Sequence, residues 1–101
     1  MIKVKVNDME REWSEINPNW IHDQIKGRQQ AGQSVCVIVK IRSGDVNVLL
    51  SAGDCPSSTG GGGSPNVHEQ EVFDFWERVG MKKDPINSGN LVAFLKQAER
   101  I

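Results

Sequence analysis

Residues 35–51, VCVIVKIRSGDVNVLLS, decide the fold of this chain. Apolar residues alternate with other residues on both sides of a polar centre, which indicates two strands joined by a tight turn. With Ser43-Gly44 as a two-residue loop, Arg42 lies opposite Asp45. The alternation then places seven apolar side chains on one face of the hairpin, which we expect to be buried: Val35, Val37, Val39, Ile41, Val46, Val48 and Leu50.

The second face of this hairpin is polar near the turn but carries Cys36, Ile38 and Leu49 farther from it. If the remaining elements all pack against the first face, Ile38 and Leu49 stay open to solvent, and monomers seldom expose such patches. We therefore expect a homodimer closed by a two-fold axis over this patch. Six aromatic residues are many for a small core. Phe75, which widens the apolar stripe of its helix, is therefore a further candidate interface residue.

The first thirteen residues predict another hairpin. Ile2, Val4 and Val6 alternate with polar residues, and Asn7-Asp8 is a suitable two-residue turn because both residues tolerate positive φ. A short helix over residues 9–16 is the alternative, since Met9, Trp13 and Ile16 also follow helical spacing. The strand interpretation fixes a register in which charges and apolar residues match across the strands: Lys3 opposite Glu12, Lys5 opposite Glu10, Val6 opposite Met9 and Ile2 opposite Trp13.

Helix signals occupy the remaining segments. Asn17-Pro18 begins a helix over about 18–31 that Gly32 ends, Ser64-Pro65 begins a helix that Gly80 ends, and Ser88 can cap a last one. The order β-(β)-α-β-β-α-α predicts a single α+β domain over residues 1–101. We expect a small antiparallel or mixed sheet of three to four strands and a carboxyl-terminal helical hairpin.

The composition excludes several classes of function. The 101 residues carry a net charge of -1, so no overall field favours nucleic acid. The apolar run at residues 35–39, which no other run in the chain exceeds, is far shorter than the roughly 20 residues of a membrane span. The amino terminus lacks the apolar core of a secretory signal, so we expect a soluble protein of the cytoplasm. In that compartment Cys36 and Cys55 would be free thiols.

The segment 52–64 is rich in Gly and Ser and is longer than most loops of compact domains. One interpretation is a polar linker, either natural or artificial. The other is a functional loop, in which backbone amides and hydroxyl groups bind a phosphate or carboxylate beside the start of the following helix. The candidate anion-binding residues are then Ser57, Ser58, Thr59, Gly60 and Gly61.

Candidate catalytic groups are few. Cys55, His68 and Asp54 supply a nucleophile, a base and an orienting acid in kind. His22 is the other histidine, and we expect both histidines to be solvated on their helices. No Cys or His spacing typical of a metal site occurs, nor a complete nucleotide-binding motif, so we expect no metal and no cofactor.

Together these features favour a small non-enzymatic binding or protein-interaction module that has no nucleic-acid or membrane partner. The alternative is a small-molecule or anion-binding enzyme whose site is the Cys55 loop.

Overall fold

The structure is a computed structural model that describes residues 1–55, 66–81 and 86–100. Four antiparallel strands form one sheet in the order β2-β1-β3-β4. The strands are β1 (Ile2–Val6), β2 (Met9–Glu12), β3 (Cys36–Ser43) and β4 (Val46–Gly53), and the helices are α1 (Pro18–Gln30), α2 (Val67–Arg78) and α3 (Ser88–Ala98). The predicted α+β class is therefore confirmed, and the sheet is antiparallel rather than mixed.

The central hairpin forms with a different turn from the predicted one. Ser43 pairs with Val46 and Arg42 with Asn47, so the two-residue loop is Gly44-Asp45 and not Ser43-Gly44. Gly44 has a φ of 56°, a left-handed conformation that glycine adopts without the steric cost of a side chain. The change moves the pairing by two residues, and an even shift keeps every side chain on its predicted face.

The amino-terminal hairpin forms as predicted over most of its length. Lys3 pairs with Glu12, Lys5 with Glu10 and Val6 with Met9, while Asn7 has a positive φ of 54° in the turn. The expected pair of Ile2 with Trp13 does not form. Trp13 instead begins a short 3₁₀ helix, Trp13–Glu15, and its buried indole N–H donates to the carboxylate of Glu99 at the end of α3.

The helices cover one face of the sheet. Every buried strand residue lies on that face, including all of the predicted core residues of the central hairpin. Helix α1 adds Ile21 and Ile25 to this core, and the carboxyl-terminal helices add Trp76 and Phe94, whose rings meet edge to face at 5.0 Å. The opposite side of the sheet, called the open face below, carries Lys3, Lys5, Glu10, Glu12, Cys36, Ile38, Lys40, Arg42, Asn47, Leu49 and Ser51.

The helix starts follow the expected chemistry, although two caps differ from the prediction. Asn17 caps α1 as expected, accepting from the backbone N–H of Trp20 at 3.0 Å. Helix α2 begins at Val67 with Asn66 as its cap, whereas the predicted start at residues 64–65 lies outside the described residues. Asn87, not Ser88, caps α3, because its carboxamide oxygen reaches the first free amides of the helix.

Ser88 has another role. Its side chain is buried and lies 2.7 Å from Nδ1 of His22, which joins α3 to α1. His22 is thus a half-buried packing residue and not the solvated one that we expected.

Candidate interaction surface

Strand β4 forms one outer edge of the sheet and is unusual for an edge strand. It runs for eight residues, Val46–Gly53, and it contains neither a charged residue nor a proline. The other edge, β2, has only four residues, of which three are charged. Proteins commonly protect sheet edges by keeping them short and charged, because unpaired backbone groups would otherwise pair with another chain. Strand β2 has this protection, and β4 lacks it.

The backbone of β4 presents free hydrogen-bonding groups along this edge. Alternate residues of an antiparallel strand bond to the same neighbour, and the N–H of Asp54 donates to Val35 at 3.0 Å. The even-numbered residues of β4 therefore face β3, and the backbone groups of Asn47, Leu49 and Ser51 point outward. Within residues 1–55, 66–81 and 86–100 no partner bonds to these outward groups.

The side chains of these same three residues lie on the open face. Leu49 is 41% exposed, which makes it one of the few large apolar side chains in the described chain that face solvent. Ile38, on the neighbouring strand β3, is half-buried. The sequence thus identified Ile38 and Leu49 on this face. It missed Asn47 and Ser51, because their importance depends on β4 having no neighbouring strand on its outer side among the residues that the structure describes.

Cations occupy most of the open face beside Ile38. Lys3 and Lys40 are directly opposite each other on adjacent strands, and like charges in such a pair repel. Lys5 lies opposite Ile38, and Arg42 follows Lys40 on the same side of β3. Glu10 relieves part of this charge, since its carboxylate lies 4.0 Å from the ammonium group of Lys3. The apolar patch predicted from the sequence is therefore narrow and bordered by positive charge.

The two cysteines form a disulfide, so the expectation of free thiols is wrong. Cys36 begins β3 and Cys55 follows β4, and the pairing of Cys36 with Gly53 brings their Cα atoms to 4.8 Å. Cys55 lies two residues beyond Gly53, the partner of Cys36 in the hairpin. The sequence alone does not reveal this proximity, because the two cysteines are 19 residues apart in the chain. Disulfides are rare in the cytosol. The cytoplasmic location consequently stays a prediction that the cysteines do not support.

The structure does not bring the candidate catalytic residues together. Cys55 lies at the Cys36 end of the hairpin, with its sulfur in the disulfide, and Asp54 precedes it. His68 is on α2 and lies near the Gly44 turn at the opposite end. An eight-residue strand separates the two ends by about 23 Å. In this arrangement Cys55 has no free thiol, and the imidazole of His68 lies far from it.

The other candidate residues divide between two places. The anion-binding candidates, Ser57 to Gly61, lie outside the described residues, so that hypothesis stays a prediction. Phe75 is half-buried on the helical side of the sheet, where its ring lies 5.4 Å from that of Phe94. It therefore lies on a different surface from Ile38 and Leu49, and its role as an interface residue stays a prediction.

Comparison of the chain with protein families, curated proteins and solved structures finds no match. Among the described residues no helix is long and apolar enough to cross a membrane. The same part of the chain contains no group of three or more His, Cys, Asp or Glu side chains placed to hold a metal ion.

Proposed function

We propose that this chain is a small protein-interaction module that self-associates through the outer edge of β4. The observation that carries the proposal is the eight-residue uncharged edge, whose outward backbone groups have no partner in the described chain. An edge strand of this kind is a template for a further strand, which would satisfy those groups. The occupant we infer is a second copy of the same chain.

Strand β4 is suited to pairing with itself. In an antiparallel pair related by a two-fold axis at Leu49, this residue faces its own counterpart and Asn47 faces the counterpart of Ser51. All three are residues whose backbone groups point outward, so the pairing forms about six backbone hydrogen bonds. The two exposed Leu49 side chains then cover each other, and Asn47 and Ser51 form polar contacts on the same side.

The charge distribution favours edge pairing over face-to-face packing. Glu10 and Glu12 of β2 lie opposite Lys5 and Lys3, but Lys40 and Arg42 have no acidic residue on β3 or β4 beside them. Stacking two open faces would bury Lys40 and Arg42 without such a partner. Burying such unpaired charges is unfavourable. Edge pairing leaves these side chains in water, because it buries only β4. The self-association predicted from Ile38 and Leu49 thus becomes a proposal centred on Leu49.

Two matched variants test this arrangement by sedimentation equilibrium at about 100 μM, a concentration that reveals even weak dimers. The wild type should show twice the 11.2 kDa monomer mass. Leu49→Lys should yield a folded monomer, since a lysine on an edge strand opposes strand addition. Ile38→Lys places the same charge on the same face but one strand away from the edge, and should remain dimeric.

Each result has a definite meaning. A wild-type monomer at this concentration would overturn self-association. Dissociation by both variants would replace the edge arrangement with a face-to-face one. Circular dichroism of all three proteins checks that the differences in mass do not come from unfolding.

A further inference from the structure

A cleft of about 490 Å³ opens on the helical side of the molecule, between the Gly44 turn, α2 and α3. Its volume lies within the range of small-molecule sites, which are commonly apolar concavities with a few polar groups. The cleft is separate from the β4 edge, because it lies on the helix-covered side. Cys55 does not line the cleft, because it lies at the other end of the hairpin.

The floor of this cleft is apolar. Val46, Val72, Phe94 and Ala98 contribute buried side chains to it, and Phe75 is half-buried beside them. The rings of Phe75 and Phe94 are 5.4 Å apart and tilted by 30°, so the cleft is bordered by an aromatic pair. A flat ring-bearing ligand would cover the exposed part of Phe75 and add an aromatic contact to its ring.

The rim of the cleft is acidic. Asp45 and Glu71 line it with exposed carboxylates, and His68 and Gln97 are the other long polar side chains there. Neither a lysine nor an arginine from the described chain lines the cleft. The residues that line the mouth therefore carry a net negative charge, which favours a cationic group on a ligand whose apolar part enters the cleft.

We propose that this cleft binds a small organic cation with an aromatic body, of the arylalkylamine class. The ring lies against Phe75, which the buried Phe94 supports from beneath, and the ammonium group stays at the rim near Glu71 and Asp45. This arrangement keeps the charged group partly hydrated, so the ligand gains attraction from the carboxylates without the cost of a buried charge. An anionic ligand of the same shape makes the same apolar contacts, but the carboxylates of Asp45 and Glu71 repel its charge.

A matched pair of probes tests the proposal by nuclear magnetic resonance. 3-Phenylpropylamine and 3-phenylpropionate have the same ring and chain but opposite charges. Titration of the ¹⁵N-labelled protein with the amine should shift the amides of Val46, Glu71 and Phe75 in a saturable manner, with a Kd of about 1 mM for so small a fragment. The carboxylate should bind at least about threefold more weakly.

Two variants test whether the preference for the amine comes from the carboxylates at the rim of the cleft. Glu71→Gln should weaken binding of the amine by about threefold, while binding of the carboxylate should not weaken. Glu69→Gln makes the same charge change on the same helix at a residue that does not line the cleft, and should leave both affinities unchanged.

The proposal is overturned if the carboxylate binds as tightly as the amine. It is also overturned if the shifts map to strands β1 and β2, or if no saturable shift appears at about ten times the expected Kd.

Discussion

Removal of the Cys36–Cys55 disulfide should lower the free energy of unfolding by about 3 kcal/mol. The two cysteines are 19 residues apart, and cross-linking a loop of this length reduces the entropy of the unfolded chain by about 11 cal/mol/K in the chain-entropy treatment. At 25 °C this corresponds to about 3 kcal/mol, a large part of the roughly 5–15 kcal/mol that stabilises an ordinary domain. The side chains removed are only half-buried, so little packing is lost with them.

The perturbation is the double substitution Cys36→Ser with Cys55→Ser, and the assay is urea unfolding followed by circular dichroism. We expect the midpoint of thermal unfolding to fall by about 10–15 °C in parallel. Dithiothreitol should destabilise the wild type by a similar amount and leave the double variant unchanged, which separates the disulfide from other effects of the reductant. Two reactive thiols in the unreduced, denatured wild type, or a loss below about 1 kcal/mol, would refute the reasoning.

Three further predictions concern the fold. Gly53→Ala should destabilise the protein by about 1–3 kcal/mol in urea unfolding, because φ is +85° at Gly53 and the new Cβ would overlap the backbone carbonyl of Val35. Gly27→Ala, in open space on α1, should instead stabilise the protein by about 0.5–1 kcal/mol, and equal effects of the two substitutions would contradict this reasoning. Val37→Asp should destabilise the protein by at least about 3 kcal/mol through a buried carboxylate, whereas Lys40→Asp, opposite Lys3 on the open face, should change stability by no more than about 1 kcal/mol. A wild-type melting curve for Val37→Asp would be incompatible with its place in the core. Ser88→Ala should cost about 1 kcal/mol in the same assay, since it removes a buried hydrogen bond between α3 and α1, and no loss would show that this bond contributes nothing.

The sequence predicted which residues form the core better than it predicted how strands pair. Alternation along residues 35–51 has a period of two, so any pairing that differs by an even number of residues buries the same side chains. The position of the turn depends instead on which single residue adopts a positive φ, and Gly44 could occupy either position of a two-residue loop. The faces of Val37, Val39 and Ile41 were thus predictable, while the partner of Ser43 was not.

Features that depend on the arrangement of whole elements could not be predicted. The disulfide requires Cys36, the first residue of β3, to lie close to Cys55, which follows β4. The observed register of the hairpin brings the two residues together. The contact between Trp13 and Glu99 joins residues 86 positions apart, which no local pattern encodes. The cleft beside Phe75 likewise arises only where two helices and a turn meet, so the presence of aromatic residues in the sequence does not by itself predict it.

The contrast between the two sheet edges is the physical basis of the interaction function that we propose. A four-stranded sheet must have two edges unless it closes into a barrel, and an unprotected edge exposes a protein to indiscriminate strand addition. Strand β2 avoids this hazard because it is short and carries three charged residues. Strand β4 has no comparable protection, and it keeps Leu49 exposed among uncharged residues. The disulfide fixes the far end of β4 to β3. An edge strand held in register in this way is pre-organised for pairing, because less conformational entropy is lost when a second strand binds to it.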